Sequence, residues 1–257
     1  MKLRFLGRLT GLTFSITLLA AASSAQWGTP NAYGYNTGYG TVYGTFSHAA
    51  LMQSMYNVAR SEQLNRNRAN PPQADRAGQA KASPTAVVRN YGLFRPDATV
   101  DTGKLLSESL GSTPEEKALI KRIYTATKEF YEKEATAKGW KNNIAGGVTF
   151  FTATAVTIYH DTEEPSPDGA DIYFKAVNAS IDAIPEFGSM PDKDKQHFNN
   201  MMIGFGGMLL AVYTEGKQNN NAETIANSKK LAGMLLQMVL KADPENIRIE
   251  NGRIVLK

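Results

Sequence analysis

Five carboxylates in one short segment have the spacing best suited to binding a cation. They are Asp161, Glu163, Glu164, Asp168 and Asp171. Because Ca²⁺ takes about six to eight oxygen ligands, clustered carboxylates favour a calcium site. The segment departs from the EF-hand loop, since Ser166 stands where that loop needs glycine and Ile172 where it needs glutamate. The alternatives are a cation site and a solvated acidic loop whose last two carboxylates stabilise the next helix start.

A second group of polar side chains lies near two predicted helix starts. The ligand-binding candidates in this group are Asn142, Asn143, Gln196 and Asn200. Buried amides need hydrogen-bond partners, and these side chains could bond to one another across a helix interface. The pattern predicts either a polar network that fixes helix packing or a small-ligand pocket between helices.

None of the remaining residues that could take part in catalysis or bind a metal forms a recognisable site. The three histidines, His48, His160 and His197, are too far apart in sequence for one helix to present a pair of them to a metal. The chain has no cysteine, which excludes disulfides and thiolate chemistry. It also lacks a nucleophile elbow, a phosphate-binding loop and a zinc-protease motif. We therefore predict no catalytic residue and no cofactor other than the calcium ion considered above.

Helical periodicity predicts an all-α fold, a bundle of about five helices with a short C-terminal β-hairpin. The motif TPEE at 113–116 predicts a capped helix start, and Gly139 predicts the stop after Lys138. Segment 142–159 has no charge and is apolar all round, which predicts the central helix of the bundle. Residues 105–257 are thus expected to form the bundle domain.

Later segments complete this domain. Helices are predicted over about 170–184, 192–215 and 222–242 from their apolar periodicity. Asn251-Gly252 lies between two short alternating segments, and this dipeptide favours a type I′ hairpin turn. An isolated hairpin is only marginally stable, so we expect this one to pack on the helices.

The N-terminus has the three parts of a secretory signal peptide over residues 1–25. Basic residues precede an apolar run at 9–22, and small residues at 23–25 predict cleavage near Ala25-Gln26. The run is shorter than the ~20 residues of a membrane span, so we expect no transmembrane helix in the mature chain. The mature protein is therefore predicted to be secreted or periplasmic.

Charge and composition describe the rest of the N-terminal region. Removal of the signal peptide would take away three of the 28 basic residues and none of the 24 acidic residues. The mature chain then has 25 basic and 24 acidic residues and a net charge of +1. A charge so close to neutral does not predict nucleic-acid binding. Residues 26–46 are rich in Gly and Tyr, which predicts a disordered arm, either a tether or a spacer. A helix is predicted over 47–68 and a proline-containing linker over 69–104, in which the apolar patch 91–96 docks on the core.

Residues 90–256 resemble an uncharacterised family of secreted bacterial helical proteins, known as a domain of unknown function. The resemblance rests on KNNIA at 141–145 opening an uncharged helix, DKQ at 194–196 in the next long helix, and ADPENI at 242–247 before the hairpin. It implies a signal peptide, a helical domain and a bacterial source. It implies no activity and no catalytic residues.

These features favour an exported non-enzymatic protein that binds a small molecule or a protein partner. The alternative is a hydrolase that acts on cell-envelope or extracellular polymers through acidic residues. A glycosidase of that kind needs two opposed carboxyl groups, one of them with a raised pKa. A partly buried carboxyl with a strongly raised pKa would therefore favour the enzyme.

Overall fold

The computed structural model describes residues 89–111 and 113–257, which form a helical bundle with a C-terminal hairpin. Its helices are α1 Thr102–Leu110, α2 Pro114–Lys138, α3 Ile144–His160, α4 Pro167–Asp182, α5 Pro185–Ser189, α6 Asp192–Gln218 and α7 Ala222–Leu240. A 3₁₀ turn leads into strands β1 Ile247–Glu250 and β2 Arg253–Leu256. The predicted fold class is confirmed. The predicted signal peptide, Gly/Tyr-rich arm, helix 47–68 and most of the linker lie outside the described residues.

Helix α3 is the centre of the bundle, as its uncharged sequence predicts. Side chains on all its faces are buried, and it packs against α4, α6 and α7. Gly206 lets α6 come close, since a Cβ there would lie 2.7 Å from the Phe150 ring. In the described part of the chain, no helix combines the length and apolar character needed to cross a membrane.

Helix α2 has the predicted ends. The Thr113 hydroxyl accepts a hydrogen bond from the Glu116 amide at 3.2 Å, and the Glu116 carboxylate accepts one from the Thr113 amide at 3.1 Å. This reciprocal pair is a capping box, which satisfies amides that the helix itself leaves free. Gly139 ends the helix with φ 71°, a left-handed conformation that glycine adopts without a Cβ clash.

Three element boundaries differ from the predictions. Helix α1 begins at Thr102, inside the segment interpreted as linker, because the Asp101 carboxylate caps the Lys104 amide at 2.9 Å. Helix α4 begins at Pro167 instead of about 170, since Ser166 caps it and Pro167 fits the first helical position. Pro185, expected only to end a helix, also begins the short helix α5.

The apolar patch at 91–96 docks on the bundle as predicted. Phe94 is 8% exposed and belongs to the main core. Its amide donates to the Asn142 carbonyl at 3.0 Å, and the neighbouring Leu93 forms a β-bridge with Asn143. This segment therefore covers the start of α3.

The hairpin is joined to the bundle at both its strands and its turn. Asn251 and Gly252 have φ 51° and 73°, as a type I′ turn requires. Ile247 and Ile254 are buried in the main core. The Ser166 amide donates to the Gly252 carbonyl at 2.8 Å, so the turn lies against the start of α4.

Candidate functional site

The predicted amide group is found where α3 and α6 begin, and much of it is a closed network. The Asn143 side chain accepts from the Ala145 amide at 2.9 Å and donates to Asn178 at 2.8 Å. Asn178 in turn donates to Asp182 at 3.2 Å, and Asp182 accepts from the Tyr91 amide at 2.7 Å. This chain of bonds joins α3, α4 and the 91–96 segment.

Both polar atoms of the Gln196 side chain bond to a single neighbour. Its amide oxygen accepts from the Asp97 amide at 2.6 Å, and its amide nitrogen donates to the Asp97 carbonyl at 3.1 Å. The carbonyl of Asn142 accepts from Phe94, as described above. Asn200 is 3% exposed, and its amide nitrogen has no hydrogen-bond partner in the structure. The bonds of Asn143 and Gln196 favour a packing network at this position, whereas Asn200 leaves one buried donor unpaired.

The start of α3 also offers no free amide to an anion. The amides of Ile144 and Ala145 donate to Gly92 and Asn143, and those of Gly146 and Gly147 donate to the Asn143 carbonyl and the Asn199 side chain. A helix N-terminus binds anions through unsatisfied amides. Since all four are used internally, this end of α3 serves packing.

The acidic segment divides into different environments, and Asp161 occupies the most strongly paired one. It ends α3 with φ 52°. The Tyr213 hydroxyl donates to its carboxylate, and the ammonium groups of Lys217 and Lys229 lie 2.9 and 3.3 Å from it. Hydrogen bonds from Tyr213 and Lys217 lower the pKa of Asp161 to about 2. A calcium ion could use this carboxylate only by displacing two lysines.

Asp171 is also paired, and the other acids do not converge on it. The Lys175 ammonium lies 2.6 Å from the Asp171 carboxylate and lowers its pKa. Asp168 lies exposed in the first turn of α4, and Glu163 is exposed in the preceding loop. Over residues 89–111 and 113–257, no three His, Cys, Asp or Glu side chains come together as a metal site. The five carboxylates therefore do not converge on one position.

Glu164 is different from its neighbours in sequence. It is half-buried in the α3–α4 loop, and its carboxyl group has no hydrogen bond or ion pair with a described residue. Burial raises the pKa of Glu164 to about 7, although the nearby Lys138 ammonium acts in the opposite direction. About half of these carboxyl groups are therefore protonated near neutral pH.

Lys138, whose charge acts on Glu164, is the last residue of α2. Gly139 reverses the chain, and the Trp140 amide donates back to the Ala135 carbonyl at 2.8 Å. This turn places the Lys138 ammonium 4.5 Å from the centre of the Trp140 ring. The other ring partner is Phe174 of α4, which stacks on Trp140 with a centroid distance of 5.0 Å.

Lys138 connects Glu164 electrostatically to Asp171. Its positive charge lowers the pKa of both carboxyl groups. We call this group the Glu164 site and define it by the side chains Lys138, Trp140, Glu164, Asp171 and Phe174. Lys138 is the member that links them: its charge acts on both carboxyl groups, and its ammonium lies over the Trp140 ring that stacks on Phe174.

Three members of the Glu164 site were missed in the sequence. Glu164 and Asp171 were predicted as metal ligands, but Lys138, Trp140 and Phe174 were not assigned to any site. The available signal was Trp140, one of only two tryptophans, placed directly after the glycine that ends α2. That position brings a large ring to a chain reversal, where it stacks on Phe174 of α4.

The two described histidines have packing contacts. A ring nitrogen of His160, Nε2, lies 2.8 Å from the Ile247 carbonyl oxygen of β1. The Nδ1 atom of His197 lies 3.2 Å from the Thr102 hydroxyl of α1. Each histidine therefore joins one peripheral element to the bundle.

The chain belongs to a family of unknown function, DUF6683, whose sequence pattern matches residues 8–257. The match is broader than the resemblance over 90–256 and confirms that the chain is a member of an uncharacterised family. Secretion and a bacterial source stay predictions. No curated protein and no solved structure matches the chain.

Proposed function

We propose that this chain is an exported, non-enzymatic binding protein that holds its ligand at the Glu164 site. Glu164 carries the proposal, because its half-buried carboxyl has no partner among the described residues. A buried polar group without a hydrogen bond costs free energy that a ligand can recover by bonding to it. Asp161 and Gln196 already have partners and offer a smaller gain, and the unpaired Asn200 nitrogen is only 3% exposed, so a ligand reaches it less easily.

The chemistry of the site indicates a small polar ligand with hydroxyl or ammonium donors. Glu164 can accept hydrogen bonds when ionised and donate one when protonated. Lys138 can leave the Trp140 ring to donate to an acceptor on the same ligand. Since Trp140 is only 6% exposed, we expect the ligand to contact the edge of the Trp140–Phe174 stack without entering between the rings.

A hydrolase is the second candidate, and one observation favours it. The pKa of Glu164 is raised and that of Asp171 is lowered, while both lie near Lys138. Two carboxyl groups with pKa values shifted in opposite directions are typical of an acid–base pair in glycoside hydrolysis. In that function Glu164 is the general acid and Asp171 the base or nucleophile. Binding is preferred because Asp171 is held at 2.6 Å by Lys175.

The test is a thermal-shift screen of the wild-type protein, Glu164→Gln and Glu129→Gln. Glutamine keeps the shape of Glu164 but cannot ionise, and Glu129 is an exposed carboxylate on α2 that serves as control. The ligands are cell-envelope sugars and peptidoglycan fragments. A ligand at 100 times its Kd stabilises the protein by about 2.7 kcal/mol.

We expect a ligand-induced shift in the wild type and the Glu129 control that is reduced in Glu164→Gln. Equal shifts in all three proteins would place binding elsewhere and refute the site. In a separate assay, cell-envelope polymers are incubated with the wild type, Glu164→Gln and Asp171→Asn, and the formation of new reducing ends is measured. Hydrolysis that both substitutions abolish would replace the binding function by the enzymatic one.

A further inference from the structure

The turn of the C-terminal hairpin holds the one Asn-Gly dipeptide in the chain, Asn251-Gly252. Asn251 is exposed, and its side chain has no hydrogen bond with a described residue. The Gly252 amide likewise donates to no described residue. A free side-chain carboxamide therefore lies next to the backbone amide of glycine, the residue type that has no side chain to obstruct an approach to it.

The backbone of this turn is fixed on its other side. Ser166 donates twice to the Gly252 carbonyl, from its amide at 2.8 Å and from its hydroxyl at 3.2 Å. Gly169 of α4 lies directly against the turn, since a Cβ there would overlap the Gly252 carbonyl oxygen. The loop has only two residues between the last paired residues of β1 and β2. A longer backbone in this loop would have to move the Gly252 carbonyl.

We infer that Asn251 is a site of spontaneous deamidation, and that the isoaspartate product releases the hairpin turn from the start of α4. The Gly252 amide nitrogen, after losing its proton to hydroxide, attacks Cγ of Asn251. The N–Cγ bond forms and the Cγ–Nδ2 bond breaks, and Nδ2 takes up a proton and leaves as ammonia. The product is a five-membered succinimide ring. Water then opens this ring at one of its two carbonyl groups, which gives either aspartate or isoaspartate.

The two products have different effects on the turn. Aspartate keeps the original backbone and tolerates a positive φ, so the Gly252 carbonyl stays on Ser166. Isoaspartate leads the main chain through its side-chain carbonyl, which adds a methylene group to the two-residue loop. Type I′ geometry belongs to loops of two ordinary residues, so the longer loop cannot keep both the strand pairing and the bonds to Ser166.

The folded turn controls the rate of the reaction. The succinimide ring holds the ψ angle of Asn251 outside the left-handed region, whereas the turn has this residue at φ 51° in that region. Ring closure therefore requires the turn to open, which breaks the bonds to Ser166. We expect deamidation to be about tenfold slower in the folded protein than in urea. None of these steps involves the Glu164 site, so the inference stands independently of the proposed function.

The experiment follows the purified full chain during incubation at pH 8.5, in buffer and in urea. Mass spectrometry of the tryptic peptide 249–253 detects the replacement of NH₂ by OH, and protein isoaspartyl methyltransferase measures isoaspartate. Asn251→Gly is the matched control, because Gly-Gly also favours a type I′ turn and has no carboxamide. Asn251→Asp supplies the aspartate product on an unchanged backbone. The acidic form of the aged wild type is collected by ion exchange, and hydrogen exchange of the Ser166 amide is then measured.

We expect peptide 249–253 of the folded wild type to gain the mass change and isoaspartate, and that of Asn251→Gly to gain neither. The Ser166 amide should exchange about tenfold faster in the acidic form than in the fresh wild type, as loss of its bond to Gly252 implies. Its exchange should be unchanged in fresh Asn251→Asp and in equally aged Asn251→Gly.

Two results would overturn the inference. If the peptide deamidates in urea and stays intact in the folded protein, Asn251 is not a modification site of the native chain. If the isoaspartate form keeps the Ser166 exchange rate of the fresh protein, the modification does not release the turn. Faster exchange in aged Asn251→Gly as well would assign the change to general ageing of the protein and would also overturn it.

Discussion

Replacing Glu164 by glutamine should stabilise the protein at high pH and leave it unchanged in acid. Burial raises the pKa of Glu164 from 4.5 to about 7 in the folded state. Because the folded pKa is above the unfolded one, its contribution to stability is fully present below pH 4.5. That contribution is lost as the pH rises through 7, since the folded protein then holds an ionised, half-buried carboxylate.

The size of the pKa shift of Glu164 gives the expected change in the free energy of unfolding. A difference of about 2.5 pH units corresponds to about 3 kcal/mol at pH 8.5, and partial exposure of the side chain reduces this to about 2 kcal/mol. Glutamine has nearly the same shape and never ionises, so Glu164→Gln removes this cost. For a chain of this size the expected increase in Tm at pH 8.5 is about 4 to 8 °C.

The assay is thermal unfolding of the wild type, Glu164→Gln and Glu129→Gln from pH 4 to 8.5. The quantity compared is the difference in Tm between variant and wild type, because other titrating groups cancel in that difference. For Glu164→Gln the difference in Tm should be near zero at pH 4 and increase from pH 5 to 7. For the Glu129→Gln control it should be near zero at every pH. A constant difference at all pH values, or a lower Tm at pH 8.5, would refute the argument that Glu164 is desolvated.

Three further predictions concern the contacts that hold the bundle together. Asp161→Asn should lower the free energy of unfolding by about 1 kcal/mol at pH 7, because the lowered pKa of Asp161 stabilises the fold above pH 3.8 and this stabilisation is lost as the pH falls through 2. Urea unfolding at pH 7 and at pH 2 measures the difference, and an equal loss of stability at the two pH values would contradict the prediction. Gly206→Ala should lower the free energy of unfolding by about 1 to 2 kcal/mol, since the new methyl meets the Phe150 ring and the helix propensity of alanine offsets only part of that cost. Urea unfolding measures the change, and an unchanged or higher stability would contradict the close approach of α6 to α3. Gln196→Leu should increase proteolysis near Asp97 without unfolding the bundle, because the substitution removes both hydrogen bonds to Asp97. An unchanged rate of digestion would show that other contacts hold the chain around Asp97.

The elements that could be predicted from the sequence are those whose signals are local. The capping box at 113–116, Gly139 and the Asn251-Gly252 turn each act within a few residues, and the structure has all three. Helix α1 was not predicted because it has only nine residues and its apolar side chains are three leucines. Its stability depends on burial of Leu106 against α2 and α6, which no local pattern reveals.

The candidate site could be predicted only in part, because its chemistry depends on distant residues. Asp161 and Glu164 are three positions apart, yet the pKa of one is lowered to about 2 and that of the other is raised to about 7. The difference arises from Lys217 and Lys229, which reach Asp161 from α6 and α7. Sequence spacing groups these acids as one cluster, whereas the fold separates them.

This separation lets the acidic segment contribute to stability at its ends and leaves Glu164 for the proposed binding function. The charge of Asp161 joins the ends of α3 and α6 to Lys229 in the middle of α7, so the loop has a fixed beginning. Ser166 fixes its end through the hairpin turn. Glu164 lies between these two anchors, and its side chain is half-buried there. The cost of burying it is therefore compensated by contacts on either side, and its unmet hydrogen bonds are available to a ligand.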